Sequence, residues 1–358
     1  MAYQFYQLKI KEIIKETPDC VSLCFDVPTE LESAFKYKEG QNITIKKIIQ
    51  GNEVRRSYSI CSAPHDNKLK VAIKKVENGL FSTFANEDLH KGDTLEVMPP
   101  SGRFNAHLST DKNSNYLAIA AGSGITPIIS IIKHTMHVQP NCKFTLIYGS
   151  KNRSSIIFFE ELESLKNKFM EQFTFINILS REKTDAELFH GRINDKKLSD
   201  LSKVINVRSF DAVYLCGPET MIHSSSDFLI KNGLDKSKIH FELFTSPLQS
   251  AVKQQSLKEE IPSGLKSNIT IKLDGRSFMF DLPYKGGSIL DEALKQGADL
   301  PYACKGGVCC TCRAKLLEGS ISMDVNYALE EEEIQQGFIL TCQAHPTSDK
   351  VVIDFDVK

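Results

Sequence analysis

Residues 1–108 carry short runs in which apolar and polar side chains alternate. Two examples are Asn42-Ile43-Thr44-Ile45-Lys46 and Lys70-Val71-Ala72-Ile73-Lys74, and turn residues such as Lys38-Glu39-Gly40 separate the runs. Alternation with a period of two is typical of strands that bury one face. The pattern predicts an antiparallel β-barrel or sandwich as the first domain.

From Tyr116 onward the pattern changes to compact apolar runs with segments of helical period between them. The apolar runs are Tyr116–Ala121, Phe144–Tyr148, Phe173–Leu179 and Ala212–Cys216. The helical segments include Ile156–Phe169 and Pro218–Asn232. Strands buried on both faces form continuous apolar runs, and their alternation with helices is typical of a parallel sheet covered by helices. An α/β domain is therefore predicted over residues 109–245.

A polar stretch over residues 246–267 has little to bury and is predicted to be a linker. Beyond it, Ile269–Leu273 and Ser277–Leu282 flank Asp274-Gly275-Arg276, which predicts a hairpin. The other elements predicted for a third domain, over residues 268–358, are a helix near Ser288–Gln296 and strands near Ala314–Leu317 and Val351–Phe355.

The composition agrees with a chain of several globular domains. Its 358 residues exceed one ordinary domain of ~100–200, and the shares of 41% hydrophobic and 25% charged residues are ordinary. A net charge of −1 offers no broad basic field, so nucleic acid is not expected as a partner. The start of the chain has no signal-like apolar run, and no apolar stretch approaches the ~18 residues that span a bilayer. We expect no membrane insertion and a cytoplasmic location.

The ten cysteines are unevenly distributed, and five of them follow residue 300. Four residues separate Cys304 from Cys309, two separate Cys309 from Cys312, and Cys342 is more distant. This C-x₄-C-x₂-C…C spacing is typical of a plant-type [2Fe–2S] cluster. Gly306 and Gly307 would let the loop wrap tightly round the cluster, with backbone N–H groups directed at sulfur.

A structural Cys₄ zinc site is the alternative interpretation of these cysteines. Zinc ribbons usually present two C-x₂-C pairs, whereas this chain has one such pair and a lone fourth cysteine, so the spacing favours the iron–sulfur cluster. Cys310 is extra to the spacing and is interpreted as a small buried or partly exposed side chain.

The segment Arg55–Ser62 predicts contacts to a flavin dinucleotide. A guanidinium can pair with pyrophosphate, an aromatic face can stack on the isoalloxazine ring, and hydroxyls can bond a ring nitrogen. Alone, an arginine and a tyrosine on a strand are ordinary surface and core residues. The candidate flavin residues here are Arg56, Ser57, Tyr58 and Ser59.

Two glycine-containing segments each precede a predicted helix. Gly79, Phe81, Ser82 and Thr83 belong to the first, which could bind phosphate through backbone N–H groups or could be a simple helix cap. In the second segment, glycines would let a dinucleotide pyrophosphate approach the backbone. Its Pro127 stands where the G-x-G-x-x-G fingerprint has its third glycine, so the generic motif is weak. The candidate residues of this second segment are Gly122, Gly124, Thr126 and Pro127.

Taken in order, these segments and Cys216-Gly217-Pro218-Glu219-Thr220-Met221 resemble the ferredoxin–NADP reductase superfamily over residues 3–244. The resemblance implies that Tyr58 stacks on FAD, that Ser59 lies near its reactive nitrogen, and that the loop at Cys216 and Gly217 lies beside the nicotinamide. A closing segment, Phe241-Glu242-Leu243-Phe244, is similar to one that supplies an acidic residue and an aromatic at the flavin. Ser59, Cys216 and Glu242 are therefore the candidate catalytic residues.

Ser180 and Arg181, directly after the run Phe173–Leu179, are similar to the pair that holds the 2′-phosphate in NADP-using relatives. Arg153 could add positive charge. A phosphate needs cations, whereas an NAD site more naturally places Asp or Glu near the ribose. NADPH is the expected donor, with NADH possible.

The C-terminal segment resembles a plant-type ferredoxin, at Pro301-Tyr302-Ala303-Cys304 and at Leu340-Thr341-Cys342-Gln343. That resemblance implies a β-grasp fold for residues 268–358, and it makes Cys304, Cys309, Cys312 and Cys342 the cluster ligands.

The whole order resembles the reductase components of multicomponent oxygenases, the phenylacetyl-CoA epoxidase type among them. It implies electron flow from NAD(P)H through FAD and the cluster to a partner protein, expected to be a diiron oxygenase. Reductases of hybrid-cluster proteins and of some fatty-acid desaturases share the order, so the acceptor stays open. Two other possibilities are an oxidase that reduces oxygen directly and a non-enzymatic, zinc-binding interaction scaffold.

Overall fold

A computed structural model describes residues 4–106, 108, 113–244, 266–284 and 286–357. The chain forms two compact units. The larger unit comprises Phe5–Val54 and Tyr58–Phe244, and the smaller comprises the described residues of Thr245–Lys358 together with Gln4 and Arg55–Ser57. No helix in the described ranges is both long enough and apolar enough to cross a membrane.

The N-terminal part of the larger unit is a six-stranded sheet in the order β4-β3-β6-β1-β2-β5. Its strands are β1 Tyr6–Thr17, β2 Cys20–Asp26, β3 Asn42–Ile49, β4 Asn52–Ser59, β5 Leu69–Lys74 and β6 Thr94–Ser101. The pairs β1–β2, β2–β5, β1–β6 and β3–β6 are antiparallel, as predicted. A bridge between Ile60, directly after β4, and Val71 of β5 joins the two ends of this order. The sheet therefore closes into a barrel.

Inward-facing aliphatic side chains fill this barrel, because alternate positions along each strand point to its interior. Ile43 and Ile45 of β3 and Val71 and Ile73 of β5 are fully buried, in the two runs that first indicated strands. Helix α1, Leu80–Glu87, adds Phe81 and Ala85 to the same core.

The second part of the larger unit is a parallel sheet in the order β11-β10-β7-β8-β9. Its strands are β7 Asn115–Ala121, β8 Lys143–Ser150, β9 Phe173–Leu179, β10 Ala212–Gly217 and β11 Ile239–Leu243. Its helices are α2 Ile125–Val138, α3 Phe159–Lys168, α4 Asp195–Leu201 and α5 Glu219–Lys231. The order reverses between β7 and β10, so the carboxyl ends of these two strands form the switch point at which such sheets bind ligands.

The structure corrects the start of one predicted helix here and adds a second helix. Helix α3 begins at Phe159 rather than Ile156, because Phe158 has a left-handed φ of 61° and interrupts the helical period. The short helix α4 was not predicted, since only Leu198 and Leu201 of its seven residues are buried.

The smaller unit combines a five-stranded sheet, in the order β13-β12-β18-β14-β16, with a two-stranded sheet of β15 and β17. Its strands are β12 Lys266–Leu273, β13 Arg276–Pro283, β14 Arg313–Glu318, β15 Ile321–Met323, β16 Phe338–Leu340, β17 Ala344–Pro346 and β18 Lys350–Asp354. Its helices are α6 Ile289–Lys295 and α7 Glu331–Gln335. The central pair β12–β18 is parallel, whereas β14 pairs with β18 and with β16 in antiparallel fashion.

The predicted hairpin is confirmed as β12–β13, with Asp274 and Gly275 as its two turn residues. Both have positive φ, 51° and 70°, which a two-residue turn between twisted strands requires. The predicted linker over 246–267 lies outside the described residues except at its end. Lys266 and Ser267 already belong to β12.

Gly40 offers a test of how closely the segment that follows β6 packs on the barrel. A Cβ added there would lie 1.8 Å from the carbonyl oxygen of Phe104, whereas a Cβ on Gly51 would meet nothing within 4 Å. Both glycines have left-handed φ, 77° and 78°. Gly51→Ala should cost roughly 1–2 kcal/mol of stability for its backbone conformation alone. Gly40→Ala adds the overlap and should cost more than about 4 kcal/mol.

Urea-unfolding curves followed by circular dichroism, at one fixed FAD concentration, would measure the two losses. Equal losses for the two variants would show that Phe104 does not pack against Gly40 in solution.

Candidate functional site

The predicted flavin residues lie on β4 and at the start of α1. The ring centroids of Tyr58 and Phe81 are 5.6 Å apart, and Phe81 is almost wholly buried in the barrel core. Phe81 therefore supports Tyr58 from the core side. Arg56 donates a hydrogen bond from Nη1 to the carbonyl oxygen of Arg55 at 2.7 Å and is half-buried on the same strand as Ser57.

The first glycine segment forms the start of α1. Gly79 is its N-cap, and a Cβ at Gly79 would lie 2.4 Å from Ser82 Oγ. That hydroxyl accepts from the Val76 backbone N–H at 3.1 Å and donates to the Gly79 carbonyl at 3.2 Å. The Thr83 backbone N–H donates to the same carbonyl at 2.9 Å. The Ser82 hydroxyl is thus engaged within its own turn, and phosphate binding by the backbone N–H groups of this segment stays a prediction.

Ser59, Cys216 and Glu242, the three predicted catalytic residues, come together in the structure. Ser59 Oγ, at the end of β4, donates to Glu242 Oε2 on β11 at 3.0 Å. Glu242 pairs in register with Cys216 on the neighbouring strand β10. Complete burial, followed by the nearby charge of Glu242, raises the pKa of the Cys216 thiol well above its ordinary value. Cys216 therefore remains a neutral thiol.

The second glycine segment links β7 to α2 at the switch point of the sheet. Gly122–Gly124 form a 3₁₀ turn, and Gly122 has a left-handed φ of 55°. A Cβ at Gly124 would lie 2.1 Å from the carbonyl oxygen of Cys216. Only glycine allows this turn to approach the end of β10 so closely. At Gly217, a Cβ would lie 3.1 Å from the backbone nitrogen of Ala121, so β7 and β10 also meet tightly there.

The side chains of Thr126 and Pro127 are buried in the first turn of α2. Thr126 Oγ1 donates to the Ser123 carbonyl at 3.0 Å, so its hydroxyl is used within the loop. The open side of the loop faces a cation that sequence reasoning missed. A Cβ at Gly122 would have Lys74 Nζ 3.9 Å away as its nearest neighbour. Lys74 ends the alternating run of β5, a pattern that predicted a strand but no ligand.

The residues predicted to hold a 2′-phosphate lie on adjacent turns after β8 and β9. The backbone N–H groups of Ser180 and Arg181 donate to the carbonyls of Ser150 and Lys151 at 2.9 and 2.8 Å. Arg153 lies on the first of these turns, and its guanidinium stacks 4.8 Å from the ring centre of Phe159. The Arg153 backbone N–H donates to Glu182 Oε2 at 2.8 Å, so an acidic side chain also belongs to this region.

Phe244, predicted to contact the flavin, directly follows β11 and is 39% exposed. It lies two residues beyond Glu242 along the chain. No described contact involves its ring.

In the smaller unit, the four predicted cluster cysteines form two sulfur pairs. The Sγ atoms of Cys304 and Cys309 are 3.1 Å apart. The thiols of Cys312 and Cys342 also hydrogen-bond each other. Among the described residues, no group of three or more His, Cys, Asp or Glu side chains is arranged to hold one metal ion. Two pairs of sulfurs are the donor set that a binuclear cluster requires, because each iron takes two protein ligands.

In each pair, one thiol is more acidic than the other. The hydrogen bond between the thiols of Cys304 and Cys309 lowers the pKa of Cys309, against the opposing effect of burial. The hydrogen bond between Cys312 and Cys342 likewise lowers the pKa of Cys342. The pKa values of their partners, Cys304 and Cys312, rise well above the ordinary range. Metal ligation requires thiolates, and one sulfur of each pair is the easier of the two to deprotonate.

The loop that carries the first three cysteines is held by backbone contacts. Gly306 donates its N–H to Cys304 Sγ at 3.3 Å, as the sequence predicted for a glycine in this loop. Gly307 has a left-handed φ of 73°, and its carbonyl accepts from the Tyr327 N–H at 3.0 Å. Cys310 donates its thiol to the Ala328 carbonyl at 3.2 Å, so it is engaged outside the two sulfur pairs.

Family models match three parts of the chain. Residues 7–106 match an oxidoreductase FAD-binding domain, residues 118–227 an oxidoreductase NAD-binding domain, and residues 271–347 a 2Fe-2S iron-sulfur cluster binding domain. The cofactors FAD, NAD(P)H and [2Fe–2S] predicted from the sequence are therefore confirmed.

Among known proteins, the chain is similar to one component of the 1,2-phenylacetyl-CoA epoxidase of Escherichia coli strain K12. The two are 41% identical over 99% of this chain and 98% of the relative. The ferredoxin reductase component of 3-ketosteroid-9-alpha-monooxygenase from Rhodococcus rhodochrous is 31% identical over 97% of this chain and 96% of its own.

Solved structures share the fold. Phthalate dioxygenase reductase is 23% identical with a TM-score of 0.59, and the match covers 98% of both chains. An intact type IV self-sufficient cytochrome P450 monooxygenase is 20% identical with a TM-score of 0.71, over 98% of this chain and 41% of that one. The chain belongs to the family of oxidoreductases in which FAD-binding, NAD-binding and 2Fe-2S cluster binding domains follow one another, and it is an NAD(P)H oxidoreductase of that family.

Proposed function

We propose that this protein takes electrons from NADPH and delivers them, through FAD and a [2Fe–2S] cluster, to a diiron oxygenase of the phenylacetyl-CoA epoxidase type. The observation that carries the choice of partner is the 41% identity with an epoxidase component along 99% of the chain. Identity to the steroid monooxygenase reductase is lower, at 31%, over a similar span. A bound flavin accepts a hydride and releases single electrons, which suits a cluster that takes one at a time.

The flavin would be held on the barrel by residues of β4 and α1. Tyr58 offers an aromatic face backed by Phe81, and Arg56 offers a guanidinium for pyrophosphate. Ser59 would lie near the reactive nitrogen of the ring, and its acceptor, Glu242, fixes where that hydroxyl points. The hydrogen-bonded pair of Ser59 and Glu242 would form a polar surface next to the flavin, which accepts the hydride.

The nicotinamide nucleotide would lie across the carboxyl ends of β7 and β10. The absence of side chains at Gly122 and Gly124 lets a pyrophosphate approach the backbone there, and Lys74 supplies a nearby positive charge. Cys216, held neutral by burial, would present an uncharged wall to the nicotinamide ring. Ser180 and Arg181, with Arg153 on the adjacent turn, would hold a 2′-phosphate.

In the smaller unit, Cys304 and Cys309 would ligate one iron and Cys312 and Cys342 the other, because the sulfurs are already paired in this way. The N–H of Gly306 would then bond the sulfur of Cys304. None of these residues needs to act as a nucleophile.

The partner assignment is tested by mixing the holoprotein and NADPH with the purified oxygenase component of a phenylacetyl-CoA epoxidase. We expect reduction of its diiron centre far faster than reduction of the terminal oxygenase of a 3-ketosteroid monooxygenase, measured by stopped-flow absorbance. Faster reduction of the steroid oxygenase, or transfer no faster than to dissolved oxygen, would refute the proposed partner.

Cys309→Ser should abolish the [2Fe–2S] signal in electron paramagnetic resonance of the reduced protein, because one iron loses a ligand. NADPH-dependent reduction of a small dye at the flavin should persist. Cys310→Ser is the matched control, since its thiol contacts the Ala328 carbonyl instead of a paired sulfur. It should keep both the signal and the dye activity. Loss of dye reduction in Cys309→Ser alone would contradict separate redox sites.

Arg181→Ala should raise KM for NADPH at least about tenfold, because a hydrogen bond to a charged group contributes roughly 1.5–3 kcal/mol. KM for NADH should barely change. Lys183→Ala removes an exposed cation two residues away and serves as the control for general charge. Steady-state kinetics with both nucleotides would decide. Equal rises in KM for NADPH and NADH would exclude a 2′-phosphate contact.

A further inference from the structure

Gln343, the residue directly after Cys342, has a buried side chain with only 2% of its surface exposed. Its amide nitrogen Nε2 faces three acceptors. Its two hydrogens are directed at the carbonyl of Lys305, 2.9 Å away, and at Cys342, whose carbonyl oxygen and Sγ lie 3.0 and 3.6 Å away and share one hydrogen. The amide thus joins the loop that carries Cys304 to the sulfur of the most distant cysteine.

We propose that Gln343 sets the reduction potential of the [2Fe–2S] cluster by donating an N–H to the sulfur of Cys342. This inference rests on the ligand role proposed above for Cys342 but does not depend on the identity of the partner protein. Reduction adds one negative charge to the cluster, and part of that charge resides on the ligand sulfurs. A donor aimed at sulfur stabilises the reduced state more than the oxidised state and raises the potential.

Burial makes this donor effective. Because Gln343 is shielded from solvent, water cannot replace its N–H when the side chain is changed, and the surrounding low dielectric strengthens the interaction. The Gly307 backbone N–H also bonds Cys342. Two donors therefore converge on one sulfur, one from the main chain and one from a side chain.

The same side chain also holds the cluster loop in shape. Lys305 has a left-handed φ of 51°, an unusual conformation for a residue with a side chain, and its carbonyl is the acceptor of the shortest Gln343 bond. A Cβ on Gly307 would lie 3.2 Å from Gln343 Cγ, so the loop packs directly on the glutamine stem. Gln343 is accordingly a positioning residue as well as a donor.

The identity of the side chain matters, because all three neighbours of Nε2 are acceptors. A glutamate of the same shape would direct a charged oxygen at two carbonyls and a sulfur. A methionine would keep the length and volume while offering no donor. Thr341 supplies the matched control. It is fully buried one residue before Cys342, yet its hydroxyl donates to the carbonyl of Cys312 at 2.9 Å and to no sulfur.

The test is a redox titration of the holoprotein, followed by the electron paramagnetic resonance signal of the reduced cluster. Gln343→Met should make reduction about tenfold less favourable, which for a one-electron couple is a fall of ~59 mV. Thr341→Val, which removes a loop hydrogen bond without removing a donor to sulfur, should change the equilibrium less than about twofold. A Gln343→Met potential equal to that of wild type, with the cluster intact, would overturn the proposal.

A second measurement on the wild-type protein covers the case in which the methionine variant does not hold its cluster. Protein labelled with ¹⁵N in the glutamine side-chain amide should show a hyperfine coupling of that nitrogen to the reduced cluster in pulsed resonance spectra. A spectrum identical to that of unlabelled protein would refute the hydrogen bond to sulfur. A wild-type protein that lacks the cluster signal would instead refute the ligand assignment itself.

Discussion

The hydrogen bond from Ser59 Oγ to Glu242 Oε2, 3.0 Å long, joins the last residue of a barrel strand to the edge strand of the parallel sheet. A hydride can pass only when donor and acceptor atoms are held close and aligned, so two cofactor domains must keep one relative orientation. A second hydrogen bond holds the same orientation. Ser130 Oγ on α2 donates to the Ser62 carbonyl at 2.7 Å, and Ser130 is fully buried. The end of β4 and the segment directly after it are thus bonded at two points to the α/β part.

Charged side chains surround these two bonds and extend the same interface. Lys133 on α2 bonds both Asp66 of the barrel, at 2.5 Å, and Glu161 on α3, at 2.7 Å. Lys70 on β5 of the barrel also pairs with Glu161, at 3.9 Å. These groups are partly exposed, so each pair contributes little to stability alone. Their value lies in orientation, because Lys133 can satisfy both carboxylates only when the barrel and the α/β part meet at one angle.

Sequence reasoning succeeded where one physical signal dominated. The strand β10, Ala212–Gly217, is buried at every position and matches the predicted run Ala212–Cys216 to within one residue, because a strand covered on both faces must be apolar throughout. The spacing of Cys304, Cys309 and Cys312 likewise indicated a cluster loop, since the geometry of such a loop is set by residues close together in the sequence. The approach of Ser59 to Glu242 was implied only by family resemblance. No local pattern relates residues 183 positions apart.

Other features could not be predicted from the sequence, because they depend on tertiary contacts. Gly124 must lack a side chain because the carbonyl oxygen of Cys216 lies where a Cβ would be. The generic dinucleotide fingerprint does not predict this contact, and Pro127 departs from that fingerprint. Lys74 gave no signal at all, because a lysine that ends a strand is common and its proximity to Gly122 arises only when β5 meets the parallel sheet.

A buried ion pair next to the loop that carries Cys304, Cys309 and Cys312 is another feature that depends on tertiary contacts. Arg313, directly after Cys312, bonds Glu333 Oε1 at 2.7 Å, and both side chains are largely buried. Glu333 also accepts from the Glu330 N–H at 3.2 Å and so caps helix α7. Burying two charges costs nearly as much desolvation energy as their attraction returns, so the pair adds little stability. The pair nevertheless links β14 to α7, and β14 begins at the residue after Cys312, so the pair helps to position the third of the predicted cluster cysteines.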